Sequence, residues 1–577
     1  MSYLLAIAVG PVQEFIAAAR RTRDLWFGSY LLSEISRAVA KSIEDSIKAN
    51  GGKLIFPSSV GAENVANVIL ARLDSDDPKG VAAIAKEAAQ DRWIKFAKDA
   101  REQVGSDILQ NVWNDQVNDV IEFYAAWVIH EHQNYAEDRN KLMRLLAGRK
   151  NCRDFLPAHG RALLPKSSLD GQRETVLHDR LEWSRESIAR LRIRKGEQLD
   201  VVGLVKRVFG GNIPYPSVSR IAADPWVRGN SGRLQQLISA CEQLGDQVVR
   251  RINLDKERGH PHFRDFPYEG GAVYVNRHHE LIEETGATAK DLEGLNKALR
   301  CLPPPDPYLA VLVADGDKMG AAISGMYTIE KHQNFSKALA GFATSAKSIV
   351  NSNNGVLIYA GGDDVLAFLP VDKCLKCARE LRNKFVECLT EQVPSNTPTL
   401  SVGIAIGHFL ENLEDLLNQG RDAEKAAKKV RVKRENSKEY DEKDAIAVHL
   451  HKRGGAPIKI ASRWETNPEE RLLKFAKLMN DGIIPTKLPY ELRTMAALYE
   501  GWSDANIDLV IQKDLYRLIA KKTSRGLATV REALSEYIKE MNSSKLIILA
   551  QELLVARQIA TALRQADRRL VSEGVTL

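Results

Sequence analysis

The chain has 577 residues, 44% of them hydrophobic and 27% charged, enough apolar material for several cores and about four domains. Lys and Arg total 82 against 75 Asp and Glu, a net +7 that permits a polyanionic partner without requiring one. Six cysteines with a single C-x-x-C argue against a disulfide scaffold or a closed four-cysteine zinc site. No run of ~18 apolar residues is present to span a membrane. The expectation is a cytoplasmic protein without a membrane partner.

In chain order, Tyr3 to Val9 (YLLAIAV) reads as a strand and Val12 to about Ala49 as helical. Lys53 to Phe56 and Ala66 to Leu70 read as a second strand and its hairpin partner. Residues from about 80 to 145 and from 180 to 265 are mostly helical in composition. The prolines of CLPPPDPY then end whatever helix precedes them. Tyr308 to Ala314 (YLAVLVA) is a short apolar run ending in Asp315-Gly316-Asp317, the pattern of a buried strand. A helical stretch from about 320 to 351 follows. Val356 to Ala360, the turn Gly361-Gly362-Asp363-Asp364 and Val365 to Leu369 form a hairpin. A helix over Val371 to Glu391 and a strand over Thr399 to Ile406 complete a β-α-β-β-α-β order, which is ferredoxin-like. Lys428 to Arg453 reads as a charge-dense exposed connection, and Ala456 to Leu577 as a separate helical bundle.

The amino terminus begins as the later unit does, so the chain is read as two copies of it. Val9-Gly10-Pro11 stands where the later copy has Ala314-Asp315-Gly316, and Pro57-Ser58-Ser59 near the place of the Gly-Gly-Asp-Asp turn. The first copy thus lacks the carboxylates.

In a β-α-β-β unit the first and third strands are neighbours. Asp315 should therefore lie beside Asp363 and Asp364 despite the gap in sequence. Crowded carboxylates repel one another unless a divalent cation joins them, and a few hard oxygen donors suit Mg²⁺ (or Mn²⁺). Gly361 and Gly362 would leave room for a nucleotide. Asp317, Lys318 and Gly320 open a helix whose amides could seat a triphosphate, and Lys425, Lys428 or Lys429 could reach the same phosphates. Cys374 and Cys377 are expected to be packing residues, and His178-Asp179 a polar helical face. In Arg20 to Phe27 the aromatics are read as core rather than as an RNA contact.

These residues carry a resemblance. GPVQEFI (10–16), ARRTRDLWFGSYLLS (19–33), KSSLDG (166–171), GEQLDVVGLVKR (196–207), ADGDKMG (314–320) and AGGDD (360–364) resemble the large palm-domain subunit of type III CRISPR effector complexes, in the III-B (Cmr) branch. The resemblance implies an α+β fold: two palm domains of ferredoxin-like type with helical domains and a carboxy-terminal helical bundle. Its divisions would be a first palm with a helical insertion at 1–165, a mainly helical domain at 166–270, a second palm at 271–455 and the bundle at 456–577. It implies partners, namely crRNA, target RNA and other Cmr-type subunits (a small helical one and one that binds the guide end). It also implies an activity, the polymerisation of ATP into cyclic oligoadenylate at the second palm. Asp315, Asp363 and Asp364 would be catalytic and metal-binding, and the first palm would hold a second ATP. The chain opens on the first palm rather than on an HD nuclease domain, so no DNase activity is expected. Zinc is not expected, because the family's paired C-x-x-C motifs are missing. Two other readings share the fold: a catalytically silent scaffold, and a diguanylate-cyclase-like enzyme using GTP.

Overall fold

The computed structural model describes residues 1–61, 64–105, 107–130, 134–152, 163–178, 187, 191–212, 215–256, 259–394, 397–433, 440–502, 507–522, 527–534 and 542–567. Asp179 of the His178-Asp179 pair lies outside them.

The first sheet is built from β1 (Tyr3–Gly10), β2 (Gly52–Phe56), β3 (Val68–Leu73) and β4 (Glu122–Ile129), in the order β2-β3-β1-β4 and antiparallel throughout. Between them run α1 (Thr22–Asn50) and α2 (Pro78–Val104), and α3 (Tyr135–Asn151) follows β4. β1 is apolar at every position because its alternating side chains fill two cores. Leu5, Ile7 and Val9 join α1 and α2, while Leu4, Ala6 and Ala8 join Leu142 and Leu146 of α3. The stretch 80–145 is mostly helical, as read, except for β4, which the reading did not contain. It is an edge strand with Trp127 and Ile129 exposed, and its apolar run FYAAWVI (123–129) is the signal the helical reading passed over. The helical reading of 180–265 is corrected too. It holds α4 (Val201–Asn212) and shorter helices, but 245–260 contains no helix among the described residues.

The second sheet contains β5 (Tyr308–Gly316), β6 (Val356–Gly361), β7 (Asp364–Leu369) and β8 (Leu400–His408). The intervening helices include α5 (Ile329–Ser352) and α6 (Cys374–Thr390). The order β8-β5-β7-β6 repeats that of the first sheet, β4-β1-β3-β2. After α7 (Leu413–Lys428), two further strands extend the sheet beyond β8. β9 (Ala445–Leu450) pairs parallel to β8, and β10 (Ile458–Arg463) antiparallel to β9. Both correct the sequence reading. The end of the charge-dense connection is a fully buried strand, and the carboxy-terminal segment begins as an edge strand.

β5 sorts its side chains as β1 does. Leu309 and Val311 face the core shared with the first sheet. Ala310, Leu312 and Ala314 face a core that also takes in α8 (Pro468–Asn480), α9 (Leu488–Leu498) and α10 (Ser543–Ala566). The carboxy-terminal helices are therefore not a separate bundle, since their apolar faces complete the second sheet's own core. Among the described residues one helical stretch, Ser544–Ala566, is long and apolar enough to cross a membrane, but 67% of its apolar window is buried against these neighbours. Cys374 and Cys377 are fully buried on α6, and burial pushes the Cys374 thiol up to about 12.

Candidate active site

The end of β5 and the β6–β7 turn meet because β5 pairs antiparallel with β7, Ala314 opposite Val365. Gly361 pairs with Asp364, leaving Gly362 and Asp363 as the turn. Gly362 has φ of 76°, a left-handed conformation that glycine adopts without strain. Gly316 matters for a different reason: a Cβ there would lie 2.8 Å from Asp363 Cβ, so only glycine lets the turn close onto the strand. The result is a cluster in which carboxylate oxygens of Asp315, Asp363 and Asp364 all lie within 4.8 Å of one another.

The helix that overlies this edge is held unusually close by two more glycines. A Cβ on Gly403 of β8 would sit 2.0 Å from the Glu424 backbone nitrogen, and one on Gly420 of α7 would press on Val313 and Val311 of β5 at 2.9 and 3.1 Å. α7 thereby delivers Lys428 to the cluster, its Nζ in contact with Asp315 Oδ2 and 3.2 Å from Glu424 Oε1. Burial, with Asp363 and then Glu424 close by, pushes Asp364 up to about 7. Burial raises Asp363 as well, and burial followed by Asp317 raises Glu424. Burial and then Lys443 lower the Lys428 ammonium to about 8. The edge thus holds more negative charge than one lysine balances, with oxygen donors that suit a hard divalent cation.

The remaining predicted residues divide. Asp317 is fully buried, and its carboxylate accepts hydrogen bonds from Thr399 Oγ1 (2.9 Å), Ser401 Oγ (2.9 Å) and the Asp444 amide (3.1 Å). It ties β5 to the β8 and β9 strand starts and is not presented to a ligand, which corrects its reading as a nucleotide contact. Gly361 is also corrected. The space beside it is filled by Tyr359, whose Oη would lie 1.8 Å from a Cβ, whereas beyond Gly362 the space is open. Lys318 and Gly320 are exposed at the start of a helix of only six residues, Met319–Ser324. Lys425 is exposed and paired with Asp422 at 3.7 Å, so of the lysines with a described partner only Lys428 reaches the cluster.

Two contributors were not found from sequence. Glu424 was signalled only by its spacing, one turn before Lys428. Asn64 comes from the first sheet: its Nδ2 donates to the Ala360 carbonyl at 3.2 Å. In the same loop the Ser58 amide donates to Ser336 Oγ of α5 at 3.0 Å. The β2–β3 connection of the first sheet is thus docked beside the Gly-Gly-Asp-Asp hairpin of the second.

Comparison with known proteins agrees with this architecture. Residues 4–135 match the family model of the CRISPR-associated protein Cmr2 N-terminal region, and residues 308–446 that of the Cas10/Cmr2 second palm domain. The CRISPR system Cmr subunit Cmr2 of Pyrococcus furiosus is 24% identical, over 93% of this chain and 71% of its own. Among solved structures, a chain of the type III-B Cmr-beta complex in the apo state superposes with a TM-score of 0.67 at 16% identity, covering 97% of this chain and 82% of that one. A chain from Cmr-beta bound to cognate target RNA gives 0.62 at 15%, covering 91% and 79%. With two family models matched in the expected order on two sheets of one strand order, the chain belongs to the Cas10/Cmr2 family.

Proposed function

We propose that this chain is the large subunit of a crRNA-guided type III-B complex of the cytoplasm, and that target RNA binding triggers its second palm to join ATP into cyclic oligoadenylate. The observation that carries the reading is the cluster of Asp315, Asp363 and Asp364 at the end of β5, closed by Gly316 and overlaid by Lys428. Its partners would be the guide RNA, the target RNA and other Cmr-type subunits, among them the small helical one and the one that binds the guide end. The similar Cmr-beta complex was solved with cognate target RNA bound.

The donor set fits Mg²⁺ (or Mn²⁺): three carboxylates, two of them (Asp363 and Asp364) raised by burial, with a lysine ammonium already against the third. Asp315, Asp363 and Asp364 would hold the ion. Bound there, it would activate a 3′-hydroxyl for attack on an α-phosphate and stabilise the leaving pyrophosphate. The chain's own part is positioning and charge. Lys428, turned from Asp315, neutralises phosphate oxygens, and the open side of Gly362 admits the nucleotide. The first-palm loop carrying Ser58 and Asn64 bounds the space in which a second ATP lies against the first, without metal ligands of its own.

The test is incubation of the assembled complex with guide, matching target RNA, Mg²⁺ and labelled nucleotides. Wild type should make oligoadenylate, and the Asp363→Ala/Asp364→Ala variant at least about a hundredfold less. No oligoadenylate from wild type would overturn the reading in favour of a scaffold. A product from GTP would favour the cyclase.

A further inference from the structure

A second concavity, of about 420 Å³, lies between the start of α1 and the loop that follows β8. Tyr308 pairs with His408 at that end of β5 while Asp315 pairs with Ser401 at the other, so the cleft and the carboxylates are separated by the length of the strand, roughly 25 Å. Arg20, Arg21, Arg23, Arg192, Arg194 and Arg277 line it. Part of this charge is answered: Arg21 pairs with Glu284 at 3.1 Å, Arg23 with Glu269 at 3.7 Å, and Arg194 with Glu280 and Glu284 at 2.7 and 2.9 Å. Part is not. Arg192 makes no ion pair among the described residues, its Nη2 donating to the carbonyls of Gln247 and Val248 at 2.9 and 3.1 Å.

Two guanidinium nitrogens in the wall have no hydrogen-bond partner among the described residues. Arg23 is 6% exposed and Arg192 3%, and Nη1 of the first and Nε of the second are buried without a hydrogen bond. A buried guanidinium nitrogen left unpaired costs several times what an exposed one does, so a structure that keeps two of them on one cleft wall has a use for an acceptor there. α1 adds to the same wall. It is a 29-residue helix whose first turn begins at Thr22, and no side chain caps it. Its dipole therefore presents unsatisfied amides and partial positive charge beside the arginines. The neighbouring arginines also depress one another: burial first, and then like charge, bring Arg21 and Arg192 to about 10. On the opposite wall, Glu411 is paired with Arg453 at 3.7 Å, and Glu414 and Asp415 are exposed.

We infer that this cleft is a seat for a phosphate group, held by Arg20, Arg23 and Arg192 at the start of α1. It is independent of the carboxylate cluster and does not rest on the nucleotidyl-transfer reading. A phosphate could come from an RNA strand or from a free nucleotide, and the same variants distinguish the two. Because the walls come from the first sheet's helix, the segment between the sheets and the second sheet's loop, an occupant would touch all three.

The experiment uses the full chain, with a labelled single-stranded RNA of about 20 nucleotides in one arm and ATP with chelator in the other. Arg20→Gln removes an exposed cation at the mouth. Asn412→Asp adds a negative charge on the facing loop at the start of α7, at an exposed residue whose side chain makes no cap hydrogen bond and donates to Asp415 at 3.3 Å. Each should weaken the occupying ligand about tenfold. If the ligand is RNA, Arg20→Gln should also reduce the slope of log K against log salt by about 0.7. Arg101→Gln, an exposed arginine at the end of α2, is the control for bulk charge. Loss in the RNA arm identifies a strand, and loss in the ATP arm a nucleotide. No loss in either arm overturns the inference, as does an equal loss with Arg101→Gln. Loss confined to capture of a protein subunit would also overturn it, reassigning the arginines to a protein contact.

Discussion

The most discriminating test of the carboxylate cluster is a substitution that should stabilise the fold while destroying the site. In the absence of a cation, an ionised Asp364 is held among Asp363, Glu424 and a sheet edge that shields it from water. The separation between its value of about 7 and the ordinary 3.8 sets a ceiling of about 4 kcal/mol on the cost of keeping it charged. The carboxylate is only partly buried, and solvent screening reduces that to about 1–2 kcal/mol. The sign follows from which state binds the proton more tightly. The folded state does, so its stability is fullest below the unfolded value near 4 and is lost as pH rises through about 7. Asp364→Asn keeps the shape and removes the titration. Scanning calorimetry of the full chain in chelator at about pH 8 should then show the variant melting roughly 1–2 °C above wild type. Near pH 4.5 most of that gap should close. Excess Mg²⁺ should reverse the order, because only the wild type retains the full donor set. A variant that melts lower in chelator at the higher pH, or a gap that does not change with pH, would refute the electrostatic account of this edge.

Two further substitutions test how the edge is built. Gly403→Ala places a methyl 2.0 Å from the Glu424 backbone nitrogen, so α7 must lift from β8. The expected loss is about 1–3 kcal/mol in stability, together with a fall in Mg²⁺-dependent turnover as Lys428 leaves Asp315. Melting and activity measured on one preparation check both, and unaltered turnover would mean that α7 does not position the site. Leu553→Ala empties a fully buried position of α10 in the core shared with the second sheet, at a cost of about 2–5 kcal/mol. Hydrogen exchange should show β9 and β10 losing protection along with α8 and α10. Protection lost in the helices alone would mark them as an independent unit.

How much of this was legible in the sequence depended on how local each signal was. The second unit was readable element by element because its strands are short apolar runs closed by Gly and Asp. The neighbour relation of β5 and β7, which brings Asp315 to Asp363, follows from the strand order itself. The first unit's β4 was lost although FYAAWVI (123–129) is an apolar run, because it lies in a stretch of otherwise helical composition and no Gly or Asp closes it. β9 was lost because it follows a run of charge, and nothing in AIAVHL alone says that a sheet is waiting for it. The same limit applies to the site. Asp315, Asp363 and Asp364 announced themselves by their turns, whereas the burial of Asp317 under Thr399, Ser401 and Asp444 is decided by two segments distant from it in sequence. Gly361 and Gly403 show the ambiguity of glycine. One is bare to admit Tyr359 and the other to admit a helix backbone, and neither reason can be told from the residue alone.

The pairing of an acidic palm with a non-acidic one also has a physical basis. The two sheets share one strand order, and the first sheet's β2–β3 connection rests on the second sheet through Asn64 to Ala360 and Ser58 to Ser336. Those contacts put the first copy's version of the hairpin turn beside the residues that begin Gly-Gly-Asp-Asp. A second set of carboxylates there would add like charge to a cluster in which Asp363 and Asp364 are already raised, and would compete for the same cation. Neutral donors such as Asn64 and Ser58 instead close the edge with hydrogen bonds and leave the charge to one side. The duplicated fold thus sets its two turns side by side, and their asymmetry leaves a single carboxylate edge between them.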